Sequence, residues 1–161
     1  MGMDPVTELE ALLDVFDADG VPYALCGGLA LAIHGYPRQT KDIDLLVEAA
    51  TVDRALAAAK RAGFDVPARK IIFGLRAGTP REVHRVSKLE DASGKMMTLD
   101  LLVVSTDLEG VWATREVVVA EQRRITVVSR EGLATMKRIA GRPQDLADLA
   151  KLEGTDESDE T

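Results

Sequence analysis

Asp42 and Asp44 are the side chains of this chain best suited to chemistry. They stand two apart in the run Asp42–Glu48 (DIDLLVE). A strand turns alternate side chains to opposite faces, so that spacing puts both carboxylates on one face. Their neighbours Ile43, Leu45, Leu46 and Val47 are apolar, and burying bare paired charges among them is costly. A divalent cation resolves the conflict. Hard ions such as Mg²⁺ take oxygen ligands and share them with substrate phosphates, and Mn²⁺ suits the same donors. Asp100 repeats the context at the centre of the apolar run Thr98–Val104 (TLDLLVV). If its strand lies beside that of Asp42, the three carboxylates form the cluster that metal-assisted phosphoryl or nucleotidyl transfer requires.

The elements needed to hold those residues can be read along the chain. Residues 6–18 have apolar positions three and four apart and predict a helix ended by Gly20. Residues 21–26 (VPYALC) read as a short buried strand. Gly27-Gly28 then opens an apolar helix, 29–34. Glycines there let backbone amides approach an anion such as a triphosphate, or they simply allow a tight turn. Residues 36–41 form a loop before the Asp42 strand. Thr51 is a candidate cap for an alanine-rich helix, 52–62. Strands are predicted at 71–73 and 82–89, with a turn at 91–94 and a return strand at 96–104. A short helix is expected near 107–114, followed by strands at 116–120 and 124–128. Ser129 caps the next helix, Gly141 ends it, and Pro143 starts the last, 143–152. Interleaved strands and helices with at least one hairpin argue for an α/β (α+β) domain: a mixed central sheet flanked by helices.

Composition bounds the function. The 161 residues fit one domain spanning 1–152. One cysteine, Cys26, excludes an internal disulfide framework and suits a cytoplasmic setting. No apolar run approaches the roughly 20 residues of a membrane helix, so no membrane partner is expected. The net charge of −7 is concentrated at the ends. Residues 153–161 (EGTDESDET) are acidic and read as a disordered tail. Residues 60–95 are basic, including Arg69, Lys70, Arg76, Arg81 and Arg85. That asymmetry suits a metal on one side and an anionic substrate on the other, or two ordinary solvated faces. Aromatic residues are only 4%, leaving few platforms for stacking single-stranded nucleic acid.

Two motifs carry a family resemblance. The segment from Gly27-Gly28 through Gly35, Arg38 and Thr40 to Asp42-Ile43-Asp44 resembles the DNA polymerase β-like nucleotidyltransferase superfamily, in particular small toxins of the AbiEii/AbiGii type. The ending Lys137…Gly141-Arg142-Pro143…Asp145…Asp148 is similar to the same group. The resemblance implies a nucleotidyltransferase fold and transfer of a nucleoside monophosphate from an NTP to an acceptor hydroxyl. It implies that Asp42, Asp44 and Asp100 bind metal, with Asp100 also the general base. It gives Gly27, Gly28, Arg38, Thr40, Lys137 and Asp145 to nucleotide binding, with Asp145 lying near the site or anchoring Arg142. The acceptor could be tRNA, a protein or a small molecule, and an antitoxin protein is an implied partner. Bland readings stand beside these: Lys137 as a solvated helix residue, Arg142 and Asp145 as a surface pair. The competing function is a catalytically inactive nucleotide-binding or protein-interaction module of the same fold.

Overall fold

The computed structural model describes residues 4–37, 40–73, 81–90 and 94–154. The predicted turn residues 91–93 and the tail beyond 154 lie outside them.

Helix α1 (Pro5–Asp19) starts where Asp4 accepts from the Thr7 amide and ends at Gly20, whose left-handed φ of 66° closes the last turn. Strand β1 is Ala24–Cys26, shorter than the predicted 21–26. Pro22 has no N–H to give a ladder, and the Tyr23 hydroxyl takes the Thr126 amide that a backbone carbonyl would otherwise accept. Helix α2 (Gly27–Ile33) follows without a break. Strand β2 is Asp42–Val47, and α3 is Val52–Arg61. Thr51 stands at the N-cap position of α3 as expected, but its side chain makes no capping hydrogen bond. It closes a 3₁₀ turn, Ala49–Thr51, and its hydroxyl donates back to the Glu48 carbonyl.

Strand β3 runs Val66–Phe73, well beyond the predicted 71–73. The register against β4 (Arg81–Leu89) shifts between Val66 and Arg69. That irregularity is where a sheet admits a proline, here Pro67. Strand β5 is Met96–Val103, followed by a 3₁₀ turn and α4 (Glu109–Ala113). Strands β6 (Glu116–Ala120) and β7 (Arg123–Val127) form a hairpin. Helix α5 (Arg130–Ala140) is capped by Ser129 as predicted, and α6 (Pro143–Leu152) is entered through proline.

The seven strands of the described residues form one mixed sheet in the order β3-β4-β5-β2-β1-β7-β6. Strands β2 and β5 are parallel, as are β1 and β7, and the remaining neighbours are antiparallel. In β2 the residues Ile43, Leu45, Leu46 and Val47 are all fully buried, so both faces of the central strand are covered there. In β5 burial alternates: Met97, Leu99, Leu101 and Val103 face the core, while Thr98, Asp100 and Leu102 are only half-buried. The second set shares its face with Asp42 and Asp44, because register partners side by side point the same way. Helices α1 and α3 pack on each other and reach β2 and β5 respectively, while α2 lies on β1 and β2 and touches α5. Thus the core is thickest around β1 and β2, and the carboxylates lie where β5 becomes more open.

Candidate active site

The parallel pairing of β2 with β5 sets Asp44 directly beside Asp100 and Asp42 beside Thr98. The row extends both ways across the sheet. Cys26 pairs with Asp44 from β1, and Arg85 pairs with Asp100 from β4. The sequence thus brings two acids, one thiol and one guanidinium into a single line, although they come from four separate segments.

Each member has a different state. Asp42 is exposed and Asp44 is half-buried. Burial, then the charges of Asp100 and Asp42, push the Asp44 carboxyl up to about 7, with Lys137 and Arg85 pulling the other way. Cys26 is buried, and burial together with the Asp44 charge pushes its thiol upward, so it is a neutral packing group. Asp100 is held by a two-pronged fork: Arg85 Nε donates to Oδ1 at 2.8 Å and Nη2 to Oδ2 at 3.0 Å.

The glycine pair has a clear physical reason. Gly27 has φ +71°, and a Cβ on it would overlap Asp44 Oδ2 and lie 2.8 Å from Asp44 Cγ. The backbone must pass against the carboxylate, and only glycine allows it. A Cβ on Gly28 would meet the Thr40 hydroxyl at 3.0 Å. Thr40 in turn donates to the Asp42 carbonyl at 3.3 Å. The two glycines therefore pack against Asp44 and Thr40, one inside and one just before the start of β2. Arg38, the other expected loop residue, lies outside the described residues.

Lys137, expected to contact nucleotide phosphates, is not a solvated helix residue. It is buried, with its ammonium 3.0 Å from Asp148 and 3.4 Å from Asp145. Its charge still reaches Asp44 and Cys26. Asp145 anchors Arg142, one of the two roles expected for it, accepting from Arg142 Nε at 2.6 Å and from the Arg142 amide at 3.2 Å. Burial raises the Asp145 carboxyl, but the Arg142 hydrogen bonds outweigh it and hold the group below its ordinary value. The two do not form a simple surface pair, because Asp145 is buried while the Arg142 side chain is 76% exposed.

The donors suit a hard divalent cation: all are carboxylate oxygens, and Asp44 is raised by negative neighbours that such an ion would neutralise. Among the described residues, however, no three His, Cys, Asp or Glu side chains are gathered as a metal-holding group. Of the expected ligands Asp42, Asp44 and Asp100, the third accepts from Arg85 on both oxygens. A depression of about 400 Å³ at the start of β2 and β5 is bounded by Pro5, Thr40, Lys41, Glu90, Lys95, Met96 and Met97, and it includes no residue of the row. A second depression of about 290 Å³, around Tyr23 and Arg115, shares no residue with the row.

A family model described as aminoglycoside-2''-adenylyltransferase matches residues 8–152. The chain belongs to that family. It is a nucleotidyltransferase, and the match takes in every residue of the carboxylate row as well as the Lys137–Asp148 network. The match does not extend to the narrower AbiEii/AbiGii affiliation expected from the motifs. No curated protein sequence matches the chain. Among solved structures, a protein from Thermotoga maritima described as a nucleotidyltransferase superposes with a TM-score of 0.65 at 15% identity, covering 93% of this chain and 92% of the other. ANT(2'')-Ia, solved in complex with adenylyl-2''-tobramycin, gives 0.60 at 16% identity, covering 94% and 88%. JHP933 from Helicobacter pylori gives 0.54 at 21% identity, covering 91% of this chain and 63% of its own. These likenesses establish the nucleotidyltransferase fold of this family member. No helix of its described residues is long and apolar enough to cross a membrane.

Proposed function

We propose that this chain transfers a nucleoside monophosphate from an NTP to a hydroxyl of a small, amine-rich acceptor of the aminoglycoside kind. The observation that carries the reading is the lateral pairing of Asp44 with Asp100, with Asp42 two residues away on the same face. The acceptor class rests on the family description over residues 8–152. An acidic row and an overall charge of −7 favour a cationic acceptor.

Asp42 and Asp44 would hold Mg²⁺ or Mn²⁺. Once bound, the ion would supply charge neutralisation at the reacting phosphate and at the pyrophosphate that leaves. Asp100 would accept the proton of the acceptor hydroxyl. Gly27 and Gly28 would let backbone amides approach the triphosphate, with Thr40 and Arg38 shaping the approach. Arg142, fixed by Asp145 and exposed beyond it, offers a cation that Lys137, enclosed by two carboxylates, does not.

The test uses the purified chain with α-labelled NTPs, Mg²⁺ or Mn²⁺, and three acceptor pools: aminoglycosides, total RNA and protein. Labelled aminoglycoside that disappears with Asp42→Asn or Asp44→Asn supports the proposal. Label on tRNA instead identifies the toxin-like reading, and an antitoxin partner then becomes the object of search. A second function, nucleotide binding without turnover, is favoured by one observation, the Arg85 fork on Asp100. Tight NTP binding with no product from any pool would identify it.

A further inference from the structure

Asp100 is asked for two things that conflict with its present partner. As general base and third ligand it must turn an oxygen toward Asp44, its register neighbour. Both of its oxygens instead accept from Arg85. The partners differ in exposure: Asp100 is 13% exposed at the side chain and Arg85 is 42%. The guanidinium therefore reaches in from the open side of the sheet and can withdraw without unfolding anything. Withdrawal with nothing in its place would leave Asp44 and Asp100 side by side and unscreened, together with Asp42. Arg85 lies within electrostatic reach of all three carboxylates.

Resting on the nucleotidyltransfer reading above, we infer that Arg85 is a resident counter-cation: it holds Asp100 until a divalent ion arrives, yields the carboxylate to that ion, and passes its guanidinium fork to the anionic nucleotide. A guanidinium and a divalent ion repel each other and compete for the charge of the same carboxylate, so the binding of one opposes that of the other. A planar fork that fits a carboxylate fits a phosphate equally well. The exchange would couple metal entry to nucleotide capture. Arg85 is thus a positioning residue for Asp100 in the free protein and a substrate contact afterwards. Its role separates from a purely structural one by sign: a structural lesion weakens metal binding, whereas removal of a competitor strengthens it.

The experiment is a Mn²⁺ titration of the metal-free full chain followed by electron paramagnetic resonance. It is run without nucleotide and then with ATP, for wild type, Arg85→Gln and Arg85→Lys. Coupling between two such sites is typically about 5- to 150-fold. Without nucleotide, Arg85→Gln is expected to bind Mn²⁺ about tenfold tighter than wild type. Arg85→Lys, which keeps the charge but loses the fork, is expected to fall between. With ATP the order reverses, Arg85→Gln holding the nucleotide more weakly and Arg85→Lys recovering part of the loss. Thermal melts of all three chains confirm that each is folded, and Arg85→Lys keeps the comparison open if Arg85→Gln is not. Equal or weaker Mn²⁺ binding by both folded variants overturns the inference alone, provided wild type still makes product that Asp44→Asn abolishes. If no chain binds Mn²⁺ and Asp44→Asn changes nothing, the inference and the reading of the site fall together.

Discussion

At the scale of single residues, the two adjacent glycines meet different neighbours and should fail differently. A side chain at Gly27 faces a left-handed backbone, which costs roughly 1–2 kcal/mol for an L-residue. It also collides with the Asp44 carboxylate. Gly27→Ala is therefore expected to lose at least about 2 kcal/mol of stability and to displace Asp44, abolishing nucleotidyl transfer. At Gly28 the backbone is ordinary, and the obstacle is Thr40, whose hydroxyl at 3.0 Å and Cβ at 3.1 Å need shift by only a few tenths of an ångström. Gly28→Ala is expected to cost under about 1 kcal/mol. Urea denaturation of the two variants checks the contrast, and equal losses would refute the assigned cause. The glycines and the Asp-x-Asp spacing were legible because each is a local signal. Arg85 was visible only as one of several basic residues. Its meeting with Asp100 depends on the β4–β5 register, which places residues 15 apart opposite each other, and no spacing rule picks 85 over 81 or 88.

At the scale of elements, α5 and α6 are clamped together by a buried ionic group. Lys137 on α5 sits between Asp145 and Asp148 on α6, and all three are buried. Removing one member of a buried ionic group leaves uncompensated charge, at a cost of about 3–5 kcal/mol. Lys137→Ala is accordingly expected to lower stability by roughly that amount, because it takes the shared ammonium from two buried carboxylates. Lys137→Met with Asp148→Leu is expected to recover part of it, because an apolar pair needs no counter-ion. Denaturant midpoints of the three chains provide the measurement. A loss of activity in Lys137→Ala without loss of stability would instead point to phosphate contact. Much of this layer was legible: Ser129, Gly141 and Pro143 mark helix ends by local chemistry, and apolar runs mark β2 and β5. What was not legible has identifiable causes. Proline at position 67 hides the early part of β3, because the bulge that admits it is set by β4. The β6–β7 hairpin turns on Glu121 and Gln122, both with positive φ, where sequence rules look for asparagine or glycine. The strand order itself is a nonlocal property, and only the whole-chain packing fixes it.

At the scale of the whole molecule, the site sets a pH dependence on the fold. Asp44 has its carboxyl raised from an ordinary 3.8 to about 7 in the folded chain. Between those values the folded state binds a proton that the unfolded state has already released. Stability therefore falls as pH rises through this window, and the contribution is fully present only below about pH 4. Each tenfold change in proton affinity corresponds to roughly 1.4 kcal/mol, so the total is a few kcal/mol, a large part of a small domain's stability. Asp44→Asn removes the titration while keeping the shape. In metal-free buffer the variant's stability relative to wild type is expected to rise from about pH 4 to about pH 7 and level off above it. A divalent ion that binds only the folded chain adds RT ln(1 + [L]/Kd), about 2.7 kcal/mol at a hundredfold excess over Kd. Millimolar Mg²⁺ is thus expected to raise the wild-type melting temperature at about pH 8, to do little at about pH 4, and to leave Asp44→Asn nearly unmoved at either pH. Melting curves across that grid decide the matter. A wild-type response to Mg²⁺ that is the same at both pH values, or shared by Asp44→Asn, would place the ion somewhere other than beside Asp44.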